Sequence, residues 1–202
     1  MTDALIIFIK NPVKGKVKTR LARTVGDDNA LNIYLQLLAI TRTLAENGEN
    51  TKRYLFYSDF IDTDDDWSNT VFEKKLQTGN DLGERMLNAF REVSAQHQNV
   101  IIIGSDCPTI TTKILKDAFR ALETDDYVLG PSFDGGYYLL GIENKRNGIA
   151  ESFFLFNNMA WSTEKVFPET VKRIKAFNKK LVLLPTLNDI DDEEDWEHYK
   201  KS

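Results

Sequence analysis

Apolar residues along this chain follow two rhythms. Short, nearly continuous runs at "ALIIFIK" (4–10), "RYLFYS" (53–58), "NVIIIGS" (99–105), "DYVLG" (126–130), "YYLLGI" (137–142) and "LVLLP" (181–185) each predict a strand. Between them, segments repeating every three to four residues predict amphipathic helices: "DDNALNIYLQLLAITRTLAENG", "DLGERMLNAFREVSAQ", "TTKILKDAFRALE", "TEKVFPETVKRIKAF" and "DEEDWEHYKK". In the first, Ala30, Ile33, Tyr34, Leu37, Leu38, Thr41 and Leu44 form the inward stripe, with Asp27 or Asp28 as cap and Gly48 as stop. Thr111 or Thr112 caps the third. Strands alternating with helices predict an α/β fold, a mainly parallel sheet covered on both faces. "GPSFDGGYYLLGI" joins two strand-like segments without a helix, which predicts one antiparallel or irregular strand and so a mixed sheet. "DTDDDWSNT" reads as an exposed loop of solvated acids. With no repeat, linker or low-complexity tract, residues 1–202 read as one domain.

Charge sharpens this picture at one place. The chain is acidic, with 26 Lys+Arg against 31 Asp+Glu, which argues against a nucleic-acid-binding surface. Yet Lys10, Lys14, Lys16, Lys18, Arg20 and Arg23 crowd the stretch between Asp3 and Asp27, where no acid occurs. A local asymmetry of this kind points to a small anion and not to a polyanion track. The single cysteine, Cys107, excludes an intrachain disulfide, and no apolar run reaches spanning length, so a cytoplasmic protein without a membrane span is expected. The sequence sets no oligomeric state.

The basic stretch follows the first strand, and in open α/β sheets ligands sit beyond the carboxyl ends of strands. Pro12 stiffens the turn and Gly15 permits close backbone approach. Lys14, Lys16, Lys18 and Arg20 are two apart, so an extended backbone would place them on one side, an array suited to a phosphate chain. "GKVKT" has too few glycines for a Walker loop, and no dinucleotide fingerprint occurs. A solvated basic loop is the bland alternative; position and the absence of acids favour the anion site.

Acids end later strands. Asp106 closes "NVIIIGSD", either as a turn former before Pro108 or as a ligand for Mg²⁺ or Mn²⁺, which take oxygen donors and often only one or two carboxylates beside substrate phosphates. "LVLLPTLNDIDDEED" repeats the pattern. Asp192, Glu193 and Glu194 read as helix-start electrostatics, leaving Asp189 and Asp191 as further metal ligands. Asp134 sits in the Gly-rich turn with Gly135 and Gly136. Bases after one strand and carboxylates after two others suit a metal–diphosphate complex.

"FIKNPVKGKVKTRLA", "LQTGNDLGERM", "IIIGSDCPTIT", "VLGPSFDGGYYLLGI", "MAWSTEKVF" and "LNDIDDEEDW" together resemble, over nearly the whole chain, a bacterial group of GT-A-fold proteins labelled nucleotide-diphospho-sugar transferase-like or glycosyltransferase-A-like. The resemblance implies a Rossmann-like three-layer α/β/α sandwich whose amino-terminal half binds the nucleotide and whose carboxyl-terminal half receives the acceptor. It implies Lys14, Gly15, Lys18 and Arg20 at the phosphates, Gln77, Gly79 and Gly83 near base or ribose, and Asp106 with Asp189 or Asp191 at the metal. Gly135, Tyr137 and Trp161 would line the acceptor side, and Lys18, Arg20 and Asp134 would carry catalysis. The implied activity is metal-dependent glycosyl transfer from a nucleotide-diphospho-sugar to a small-molecule acceptor.

Two departures matter. Asp106 is followed by Cys107 and Pro108, where sugar-transferring members commonly carry Asp-x-Asp. "KTRLA" also looks like the basic loop of GT-A-fold nucleotidyltransferases, including guanylyltransferases of the 2-phospholactate type, though the double-Gly opening and later Pro-Lys common in many sugar nucleotidyltransferases are missing. Nucleotidyl transfer to a phosphorylated acceptor is therefore the alternative activity, and a non-catalytic nucleotide-binding protein a further one. Cys107 reads as a small buried thiol, and His97 and His198 as surface residues. Tyr137 and Tyr138 should face opposite sides of the sheet. Trp161 reads equally as a packing residue and as an acceptor platform.

Overall fold

The computed structural model describes residues 3–48, 51–144, 149 and 152–201. Seven strands form one sheet: β1 (Asp3–Ile9), β2 (Thr51–Tyr57), β3 (Phe72–Leu76), β4 (Asn99–Ile103), β5 (Tyr127–Pro131), β6 (Tyr137–Glu143) and β7 (Leu181–Leu183), in the spatial order β3-β2-β1-β4-β6-β5-β7. β1 pairs in parallel with β2 and β4, β2 with β3, and β5 with β7. β6 is antiparallel to β4 and to β5, so the helix-free Gly-rich turn makes the sheet mixed, as the sequence predicts.

The described helices are α1 (Thr19–Val25), α2 (Asp27–Glu46), α3 (Leu82–Ser94), α4 (Thr112–Ala121), α5 (Phe153–Phe156), α6 (Val166–Ala176) and α7 (Glu193–Tyr199). Strand alternation sorts the core into two slabs. Leu5, Ile7, Ile101 and Ile103 face α2 and α4, while Ala4, Ile6, Val100 and Ile102 face α3, α5 and α6. Tyr138 and Tyr137 divide between those slabs in the same way. Three layers result. Among the described residues no helix is long and apolar enough to cross a membrane.

Several elements depart from expectation. The α2 stripe buries the residues its period indicates, but the cap is Gly26, and the helix closes through Asn47 with no left-handed residue. Asp27 and Asp28 stay in the first turn, where their negative charge is stabilised by the positive end of the helix dipole. β3 was invisible in the sequence because "FEKKL" buries only Phe72. It is an edge strand, and Lys74 and Lys75 occupy positions that discourage further pairing. The acidic loop before it is tethered: Trp67 is buried edge-on against Phe72, and Asp65 pairs with Lys74 at 2.6 Å between largely buried side chains. His97 is buried too, 2.8 Å from the Tyr54 hydroxyl, and not on the surface as expected. His198 is exposed.

Candidate functional site

The carboxyl ends of β1, β3 and β4, the β5–β6 turn and the loop before α7 surround a cleft of about 780 Å³. Lys18, Arg20, Asp106, Asp134, Asp189 and Asp191 all line it. Their convergence is built by the backbone. Ile190 N donates to Asp106 O at 2.8 Å, joining the loop after β4 to the segment before α7. Lys18 crosses the same junction: its Nζ lies 2.5 Å from Asp106 Oδ1 and donates to Ile190 O at 2.5 Å. Its side chain is only 6% exposed, so these partners are what make a buried ammonium tolerable. Lys18 also adopts left-handed φ/ψ (47°, 44°) as the residue entering α1, a conformation costly for a bulky side chain and common where function holds it.

Around this tie the acids outnumber the bases. Arg20 Nη2 meets Asp191 Oδ2 at 2.9 Å, the Arg20 side chain largely exposed and the Asp191 side chain largely buried. Burial above all, then the charges of Asp106, Asp134 and Asp191, push the Asp189 carboxyl up to about 7, with Lys18 opposing. Burial likewise raises Asp191 despite Lys18 and Arg20. Asp134 Oδ1 accepts from Gly136 N at 2.9 Å and from the Ser132 hydroxyl, which fixes its rotamer in the turn. Asp195 holds the acid-bearing loop through a capping box, accepting from Asp191 N and Asp192 N. Over the whole cleft six carboxylates (Asp81, Asp106, Asp134, Glu164, Asp189 and Asp191) face four cations (Lys10, Lys18, Arg20 and Arg85). The donors of this negative excess are all oxygens, which fits a hard divalent cation. Among the described residues, however, no three His, Cys, Asp or Glu side chains could hold a metal by themselves. A cation here would complete its shell with water or phosphate oxygens.

Not every predicted site residue reaches the cleft. Residues 11–16 turn on themselves, through Val13 N to Asn11 O and Lys16 N to Val13 O, and α1 begins at Thr19. Successive side chains therefore fan out, and the one-sided basic array of an extended segment does not form. Lys14 points to Asp28, 2.6 Å away, and the space beside Gly15 (φ +75°) faces the Asp27 carboxylate. Gln77 does line the cleft; its Nε2 bridges Ile9 O and Phe56 O and so laces the strand ends together. Gly79, Gly83 and Gly135 are outside the lining. A Cβ on Gly79 would strike the first turn of α3, and one on Gly135 the backbone of Glu164. At Gly83 it would come 2.5 Å from the Trp161 indole, which rests on α3 and stacks on Phe156. Gly83→Ala is thus expected to overpack this contact and lower stability by about 1–3 kcal/mol, read as a lower melting temperature with altered Trp fluorescence. An unchanged melt would remove the packing role.

Tyr137 and Trp161 line the far wall. Cys107 is buried, its thiol pushed up to about 12 by burial and then by Asp189, so it is no nucleophile. Sequence reasoning missed Tyr34, Ser105 and Arg85. Tyr34 looked like a core position on the α2 stripe, yet its hydroxyl accepts from Lys10 N, donates to Lys10 O and lies 3.3 Å from Ser105 Oγ, steadying the residue before Asp106. A buried phenol needs such partners, and that requirement was the available signal.

Residues 41–163 match the model of a family described as an uncharacterized protein conserved in bacteria (DUF2064). A structure from Desulfovibrio desulfuricans G20, provisionally named a nucleotide-diphospho-sugar transferase, superposes with a TM-score of 0.85 at 29% identity, covering 95% of this chain and 84% of that one. A cytidylyltransferase from Leptospira borgpetersenii aligns at 0.63 and 16% identity, over 99% and 85% of the two chains. A Mycobacterium tuberculosis H37Rv protein solved with manganese aligns at 0.55 and 11%, over the full length of both. No curated protein matches the chain. The fold is thus the GT-A-like α/β/α sandwich of nucleotide-diphospho-sugar transferases.

Proposed function

The chain belongs to the bacterial family whose model spans residues 41–163 (DUF2064), and on that premise we propose that it is a metal-dependent transferase acting on a nucleotide-activated substrate. The observation carrying this reading is that Asp106, Asp189 and Asp191 share one cleft with Lys18 and Arg20, beyond the carboxyl ends of parallel strands. Asp106 with Asp189 or Asp191, completed by water or phosphate oxygens, would hold Mg²⁺ or Mn²⁺, which when bound draws charge from the diphosphate oxygens. Arg20 is exposed enough to exchange its Asp191 contact for a phosphate oxygen, while Lys18 keeps Asp106 oriented. Asp134, gripped through Oδ1, leaves Oδ2 to take the proton of an acceptor hydroxyl. The acceptor lies toward Tyr137 and Trp161.

The preferred reaction is glycosyl transfer. The acceptor oxygen bonds to the sugar's anomeric carbon as that carbon's bond to the diphosphate oxygen breaks, releasing a nucleoside diphosphate. Likeness to the Desulfovibrio protein supports it. One observation favours nucleotidyl transfer instead: Asp106 is followed by Cys107 and Pro108, without a second aspartate. The whole chain works as one unit, with β1–β3 on the nucleotide side, in the reducing cytoplasm that a lone thiol suits. Incubation with Mg²⁺ and a panel of nucleotide-sugars should release nucleoside diphosphate. Pyrophosphate release from nucleoside triphosphate and a small phosphorylated acid would decide for the second reading. No product and no nucleotide binding under either condition would reject both.

A further inference from the structure

Four bases line the cleft: Lys10, Lys18, Arg20 and Arg85. Two already have carboxylate partners, Lys18 with Asp106 and Arg20 with Asp191, and Lys14 outside the cleft is held by Asp28. The bases that dominate the sequence are thus largely neutralised within the protein. Among the described residues, neither Arg85 nor Lys10 takes part in an ion pair.

Local structure explains why Arg85 is left over. It lies in the first turns of α3 just after two acids that could have paired with it, and both are engaged elsewhere. Asp81 caps the helix, accepting from Glu84 N at 2.8 Å. The Glu84 carboxylate accepts from Asn80 N at 2.8 Å and from Asn80 Nδ2 at 2.9 Å. Arg85 Nε donates to Gly79 O at 3.2 Å, an approach that a Cβ on Gly79 would obstruct by striking Arg85 N. The guanidinium is therefore held by one nitrogen, and Nη1 and Nη2 have no protein acceptor among the described residues. A planar fork fixed at its base, half-buried in a cleft wall, is pre-organised for an oxyanion. Lys10, directly after β1, adds an exposed point charge.

We propose that Arg85, assisted by Lys10, is the anion-binding residue of the cleft, receiving a phosphoryl group of the substrate. This rests on the nucleotide-transferase reading and moves its main phosphate contact from the α1 loop to α3. The donor's diphosphate and an acceptor's phosphomonoester would use the same fork, so each is titrated separately, as pyrophosphate and as glycerol 3-phosphate, by calorimetry with Mg²⁺. Arg85→Gln should weaken binding of at least one probe by about tenfold or more, and the probe affected names the source. Arg85→Lys should recover only part of the loss, because charge returns without the fork. Arg20→Gln should weaken binding less than Arg85→Gln does. Unchanged affinity in both Arg85 variants, beside normal binding by the wild type, overturns the assignment while leaving the transferase reading intact. If the wild type binds neither probe nor any nucleotide, both fail together. Arg85→Lys keeps a donor for Gly79 O, so it still decides the matter should Arg85→Gln not fold.

Discussion

Asp189→Asn should raise the melting temperature at about pH 8 in the presence of a chelator, and leave it nearly unchanged at about pH 4. The native state holds the Asp189 proton up to about 7, against 3.8 for an ordinary aspartate. Below the lower value both folded and unfolded chains are protonated there, and the group contributes nothing. Between the two values the native state binds more protons than the unfolded state, so stability falls as pH rises, and the loss is complete above about 7. A shift of this size corresponds to about 4 kcal/mol, or on the order of 10 °C for a chain of this length. Asparagine carries no charge to desolvate and escapes the loss. Mg²⁺ added to the wild type at the higher pH should restore part of it, since a cation favours the ionised form. Parallel pH profiles for the two proteins would show that Asp189 is not the origin.

The second large effect is expected at Asp106. Asp106→Ala leaves the Lys18 ammonium, 6% exposed, with the Ile190 carbonyl as its hydrogen-bond acceptor and only the through-space charges of Asp189 and Asp191 to balance it. Stranding one partner of a buried pair costs about 3–5 kcal/mol. Because the Asp106 side chain is itself 51% exposed, the lower end applies. Activity should vanish as well, through the loss of a cation ligand. The two effects separate in Lys18→Met/Asp106→Leu, which should recover most of the stability while remaining inactive. If the double variant melts as low as Asp106→Ala, the stranded ammonium is not the cause of the instability.

How the site was legible differs from residue to residue. Asp106 could be read because a fully buried run such as "NVIII" delivers its next charged residue to the sheet's ligand edge. Asp189 and Asp191 followed from the same logic after β7. Tyr137 and Tyr138 separated correctly because a strand's period is exact to one residue. The basic loop was misread because spacing alone does not distinguish an extended stretch from a turn followed by a short helix. Leu21 and Val25, spaced for α1, carried the contrary signal. Gly79, Gly83 and Gly135 looked like ligand contacts, whereas what approaches them closely is the protein's own α3, Trp161 and Glu164.

Local information thus determined most of the elements (β3, α1 and α5 excepted), the three layers, the antiparallel intrusion of β6 and the strand ends where acids gather. These depend on periodicity and on which residues shun water, and both are written along the chain. Which charges cancel was decided only by the tertiary structure. Lys18 meets Ile190 across 172 residues and Arg20 meets Asp191 across 171, while among the described residues Arg85 is left without a carboxylate although Asp81 and Glu84 lie just before it. Coulomb energy depends on separation in space and on burial, and neither can be read from distance along the chain.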